Sequence, residues 1–164
     1  MRMSNNSYNH MNALIAMCFQ ANAIIDNLAY NLDYHYFNNI ANIVHLNVAH
    51  VMPQWADLIS DQMLQLSARP VRHGISGYED DIPDVTQVFS KLNKTLVEIC
   101  DAVKNTIEDA DMAEDAEVRI FCEDFLMKIQ PFLKQSEEWM NAAATLDATS
   151  LNIHIKDYTH YIGL

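Results

Sequence analysis

The sequence predicts an all-α fold: four long helices in one bundle, with one long crossover between the second and third. Three observations carry this. Apolar residues recur at helical spacing over Leu14–Leu32, Ile40–Leu66, Val85–Ala110 and Val118–Ala143. The chain has only 3 glycines in 164 residues, so little interrupts those stretches. Two of its 4 prolines and two of its glycines gather between Pro70 and Pro83, with the acidic run Glu79-Asp80-Asp81. Helices with a single apolar stripe bury it against one another, and a chain of this length has enough of them for one core.

The spacing predicts helices over 6–32, 34–68, 84–110 and 113–146, a tail over 147–164, and one domain over 1–164. Asn6 or Ser7 suits the first N-cap, and Asp33 the second, which makes the first turn short and its helices antiparallel. Pro53 removes a backbone donor inside the second helix and predicts a kink or break before it. Asp84-Val85-Thr86-Gln87 reads as a capping box for the third helix. For the fourth, both Asp111-Met112-Ala113-Glu114 and Asp115 offer a cap, and Pro131 predicts a kink. The tail, with Leu151, Ile153, Ile155 and Tyr158, alternates like a strand but has no partner strand. It reads as a packed or swapped tail. Two short turns flanking one long crossover make the second and third helices parallel, a topology that includes the ferritin-like folds.

The formal charge of −12 opposes binding to phosphates, so no nucleic-acid partner is expected. Cys18, Cys100 and Cys122 lie on or beside apolar stripes and read as reduced core thiols of a cytoplasmic protein. The run Ala13–Phe19 is at the short limit for a secretory leader and continues into a helical stripe, so a helix is the expectation. No run reaches the ~18 apolar residues of a membrane span, and no membrane partner is expected.

No Glu-x-x-His, His-Glu-x-x-His, paired-cysteine or Gly-rich phosphate motif is present. One constellation stands out on the second helix. His50, Asp57 and Asp61 are spaced by seven and four, which places them within roughly 40° on a helical wheel. Imidazole and carboxylate together suit iron or zinc. The stripe lies opposite the core side marked by Val48, Trp55 and Ile59, and shares its side with Ile43, Leu46 and Leu64. A solvated polar face is the plain alternative. His45 borders the core stripe, and His35 lies in the first turn of the second helix. Both are candidate ligands; a hydrogen-bonded boundary histidine and an exposed turn histidine are their plainer readings.

Three stretches carry a family likeness. They are Leu66-Ser67-Ala68-Arg69-Pro70-Val71-Arg72 with Ile75 and Tyr78-Glu79-Asp80; Asp115–Leu146, with Phe125-Leu126-Met127-Lys128 and Glu138-Trp139-Met140-Asn141-Ala142; and His45-Leu46-Asn47-Val48. In these the chain resembles the Dps-like mini-ferritins of the ferritin-like superfamily. The resemblance implies a hollow dodecameric homo-oligomer that oxidises ferrous to ferric iron, often with hydrogen peroxide, and stores the mineral. Such a protein is a ferroxidase-type oxidoreductase of the oxidative-stress response. Its sites lie between two-fold-related subunits. The family's Asp/Glu pair maps onto Asp57 and Asp61, or onto Asp61 and Gln65 with loss of a carboxylate. The alternative expectation is a structural or interaction bundle that has lost its metal site.

Overall fold

A computed structural model describes all residues, 1–164. Every element is helical: α1 (Asn5–Tyr34), α2 (Asn38–Ile43), a π-helical turn (Val44–Ala49), α3 (Val51–Gln65), α4 (Val85–Met112), α5 (Ala116–Thr145), α6 (Ala148–His154) and a 3₁₀ turn (Ile155–Tyr158). The segment α2–π–α3 acts as one long helix. With α1, α4 and α5 it makes the four-helix bundle, and the core is filled by Leu14, Ile25, Met52, Phe89, Phe125 and Trp139.

The chain ends fix the directions. The Arg2 amide donates to the Leu66 carbonyl, so α3 ends where α1 begins. His10 meets Asp109, so α4 also ends there. The second long helix and α4 therefore run parallel, as the crossover predicts. The crossover itself lies along α1, held by its side-chain amides. Asn12 accepts from the Val71 amide at 2.8 Å, Gln20 exchanges two bonds with Ser76, and Asn31 donates to the Asp80 carbonyl at 2.7 Å. From Asn12 to His35 this path spans about 35 Å of helix.

Several boundaries differ from the sequence expectation. Ser4, not Asn6 or Ser7, caps α1 by accepting from the Ser7 amide. Asp33 stays inside α1, and the next helix begins only at Asn38. The turns after α1, α3 and α4 place Tyr36, Ser67 and Glu114 at φ of 70°, 57° and 59°. These are left-handed C-terminal turns, closed by Phe37 N–H to Leu32, Ala68 N–H to Met63 and Asp115 N–H to Ala110. The α5 helix passes through Pro131 without ending. The tail is not a strand: Asp147 caps α6, and Leu151 and Ile155 are buried. By length and composition α1 alone would pass as a membrane span, against the expectation that no stretch would. Here its stripe of Leu14, Cys18, Ile25 and Leu28 is buried in the bundle.

Candidate metal centre

Pro53 accounts for the geometry of the centre. It has no N–H to give the carbonyl four residues back, which is that of Ala49, and its ring crowds that carbonyl. The helix widens into a π turn just there, over Val44–Ala49. The stranded Ala49 carbonyl accepts instead from Asn22 Nδ2 of α1 at 2.9 Å. In an α-helix, residues five apart point roughly 140° from each other. In a π ladder they stack, because each N–H reaches five residues back. The His50 amide donates to the His45 carbonyl at 3.1 Å. The two imidazoles accordingly sit 4.4 Å apart, tilted by 63°.

Asp26 of α1 completes the group. Its Oδ1 lies 2.9 Å from His45 Nδ1. One ligand atom from each of Asp26, His45 and His50 lies within 4.8 Å of the others. Asp26 and His45 are half-buried, with side chains 22% and 33% exposed, and His50 is exposed. Tyr30 tilts over His45 at 6.1 Å. Two imidazoles and one carboxylate form a donor set that suits ferrous iron or zinc and leaves coordination positions open. Asp26 serves such an ion as a ligand, or by fixing the tautomer and orientation of His45.

The other sequence candidates lie elsewhere in the chain. His35 Nε2 pairs with Asp81 Oδ1 at 3.0 Å, where the crossover meets the end of α1. Asp57 and Asp61 are exposed on the outward face of α3, which they share with His50 and the exposed Leu58 and Leu64. Neither belongs to the His45–His50 group. Asp57 instead borders a shallow pocket with Phe19 and Arg72. Asp26 was missed by the sequence reading, yet it left a signal. It and Asp33 are the only Asp, Glu, Lys or Arg residues of the 30-residue helix α1.

Inside the bundle there is no second site. Ferritin-like di-iron centres project glutamates and histidines inward from four helices. Here no Asp, Glu or His is buried, and the buried polar residues are Ser7, Asn12, Thr95, Thr106, Gln135, Ser136 and Thr159.

No family model and no curated protein matches this chain. Among solved structures, an open-pore ferritin from the hyperthermophilic archaeon Archaeoglobus fulgidus superposes with a TM-score of 0.85. The match covers 95% of this chain and 97% of the other. The chain has a ferritin fold. At 12% identity the likeness concerns backbone and topology, and this chain combines that backbone with an interior free of Asp, Glu and His.

Proposed function

We propose that this is a ferritin-like iron-handling protein. It takes up ferrous iron at Asp26, His45 and His50, oxidises it with dioxygen or hydrogen peroxide, and stores the product in a shell of its own copies. The observation that carries the reading is the convergence of those three side chains from two elements. Their donor chemistry fits iron as substrate. The site faces outward, as the mini-ferritin resemblance implies. In that Dps-like arrangement a dodecamer brings a second copy against this face, and its Asp57 and Asp61 join the histidines as ligands. Leu46, Leu58 and Leu64, exposed by 48%, 41% and 60%, supply apolar surface for such a contact. His35, paired with Asp81 at the end of α1, stands outside this ligand set. The three free, buried cysteines suit a cytoplasmic setting.

The experiment is sizing by light scattering combined with aerobic iron loading of wild type, Asp26→Ala and His45→Ala. The expected result is an oligomer that oxidises and retains iron, with both variants losing stoichiometric ferrous binding. A monomer that holds no more iron than an unrelated protein of similar charge ends the proposal. One observation favours a second reading, a structural bundle without metal: the interior holds no Asp, Glu or His. Metal analysis separates the two, since stoichiometric iron or zinc that is lost on Asp57→Ala or Asp61→Ala belongs only to the first.

A further inference from the structure

The pair His45–His50 sits on weak local structure. Helix α2 has only six residues, its N-cap residue Phe37 makes no side-chain cap, and neither end of the π turn is capped by a side chain. A short helix and a rare π turn are marginal by themselves. Their support comes from the far end of the sequence. Asn152 of α6 presents Oδ1 to the amides of Asn39 at 3.0 Å and Ile40 at 3.1 Å. Those are the second and third N–H groups of α2, the donors that a helix-capping side chain satisfies. The Asn152 carbonyl also accepts from Asn39 Nδ2 at 3.1 Å. The cap of α2 is thus supplied by a residue 113 positions away.

The same segment grips the π turn itself. Asn47, between the two histidines, donates from Nδ2 to the Gly163 carbonyl at 2.7 Å. The tail reaches this point along a fixed path. Gln135, buried on α5, donates to the Tyr158 carbonyl at 2.8 Å and accepts from the amides of His160 and Tyr161 at 2.8 and 2.9 Å. Trp139 Nε1 donates to Thr159 Oγ1 at 3.2 Å. Leu151 and Ile155 anchor the segment in the core.

We propose that the C-terminal segment Ala148–Leu164 is a positioning brace for the metal centre, with Asn152 and the Gly163–Asn47 bond as its two points of action. This rests on the reading of Asp26, His45 and His50 as ligands. Neither Asn152 nor Asn47 belongs to that ligand group. They set the start of α2 and the middle of the π turn, and so the separation of the two imidazoles. Groups that hydrogen-bond metal ligands directly change affinity by about 10–100-fold when removed, and a brace acting through the backbone is expected at the low end of that range.

The test measures Co²⁺ affinity and the visible spectrum of bound Co²⁺ in the full-length protein, and amide exchange over His45–His50 without metal. Asn152→Ala and Asn47→Ala are expected to weaken Co²⁺ binding by about tenfold, alter its spectrum and speed exchange in the turn. Asn152→Asp keeps the accepting oxygen and is expected to restore all three. Ser4→Ala, at the opposite end of the bundle, lowers stability without changing the spectrum. Wild-type affinity and spectrum in both alanine variants overturn the brace. If wild type binds no Co²⁺, the iron reading and the metal-positioning role both fall; faster exchange in Asn152→Ala then leaves the tail as a brace of the π turn alone, and unchanged exchange overturns that too.

Discussion

Asp115 links the starts of α1 and α5, two long helices that run in the same direction. It stands at the N-cap of α5, yet makes no side-chain cap there. Its carboxylate accepts from Ser4 Oγ at 2.6 Å, from Ser7 Oγ at 2.5 Å and from the Ser4 amide at 3.0 Å. Partial burial pushes its carboxyl up, but the two hydroxyls and the amide together hold it below the usual carboxylate range. A carboxyl lowered by folding stabilises the native state above its unfolded pKa, about 3.9, and loses that contribution as pH falls through the lower folded value. Asp115→Ala removes the acceptor of these bonds at a partly exposed carboxylate and is expected to cost about 1 kcal/mol in urea unfolding at pH 7. The gap to wild type is expected to narrow below about pH 4. A gap constant down to about pH 2.5, well under the ordinary carboxylate range, rules out the carboxylate as its origin. The cysteines behave oppositely. Burial pushes the Cys18 and Cys122 thiols up to about 12, and the neighbouring Glu123 charge adds to the effect at Cys122. Thiolate is the reactive form. All three buried cysteines are expected to resist a chromogenic disulfide reagent in the folded protein and to react once denatured. Rapid native labelling would reveal local opening of the bundle. At this scale the sequence pointed to His45 and His50 but missed Asp26. Its partner lies 19 positions away, and only the i,i+5 stacking of the π turn brings the group together.

At the level of elements, Pro53 governs the second long helix. The sequence shows that a proline there must disturb the ladder. It does not show that the disturbance takes the form of a π turn, because that depends on Asn22 of another helix receiving the Ala49 carbonyl. Asn22→Ala leaves that carbonyl without its partner and is expected to cost about 1–3 kcal/mol. In a Pro53→Ala background the backbone at that position again offers an N–H to the Ala49 carbonyl, and the cost of Asn22→Ala is expected to shrink by at least half. Thermal unfolding of the four proteins gives the coupling directly. Strict additivity would show that Asn22 and Pro53 do not share this carbonyl. The order and direction of the four long helical segments were legible because the apolar stripes and the Pro70–Pro83 punctuation report them. The ends were less so. Three C-terminal turns need a left-handed residue, and the chain fills them with Tyr36, Ser67 and Glu114 instead of glycine. The usual mark of a helix end is absent, so Asp33 and Asp111 looked like caps although both lie within helices. The tail reads as packed, but its helical form is hidden. Its alternation of Leu151, Ile153 and Ile155 is strand-like, but α6 and the turn after it bury Leu151 and Ile155 and leave Ile153 63% exposed.

The whole molecule is an acidic body whose few cations are engaged or dispersed. The net charge is −12, and protonating all 7 histidines would leave −12 + 7 = −5. DNA affinity arises from several Lys or Arg side chains releasing counterions together, and a flexible basic arm is one way to gather them. Residues 1–5 are not free to act as one. Met3 is buried, Ser4 is bound to Asp115, and α1 begins at Asn5. Arg2, the only Lys or Arg among the first ten residues, is tied down: its guanidinium donates to the Gln65 carbonyl and to Ser67 Oγ. At the other end the tail carries only Lys156, and Gly163 is held by Asn47. Arg72 stacks on Phe19 with its guanidinium carbon 3.9 Å from the ring centre. An assembly of such chains would multiply the negative charge, whose repulsion acts within the ~8 Å screening length of physiological salt. The protein is therefore expected to leave duplex DNA unretarded in a gel-shift titration at low salt and neutral pH without divalent metal. Retardation that weakens steeply as salt is added would mean that the assembled particle gathers cations into a patch that the single chain does not possess.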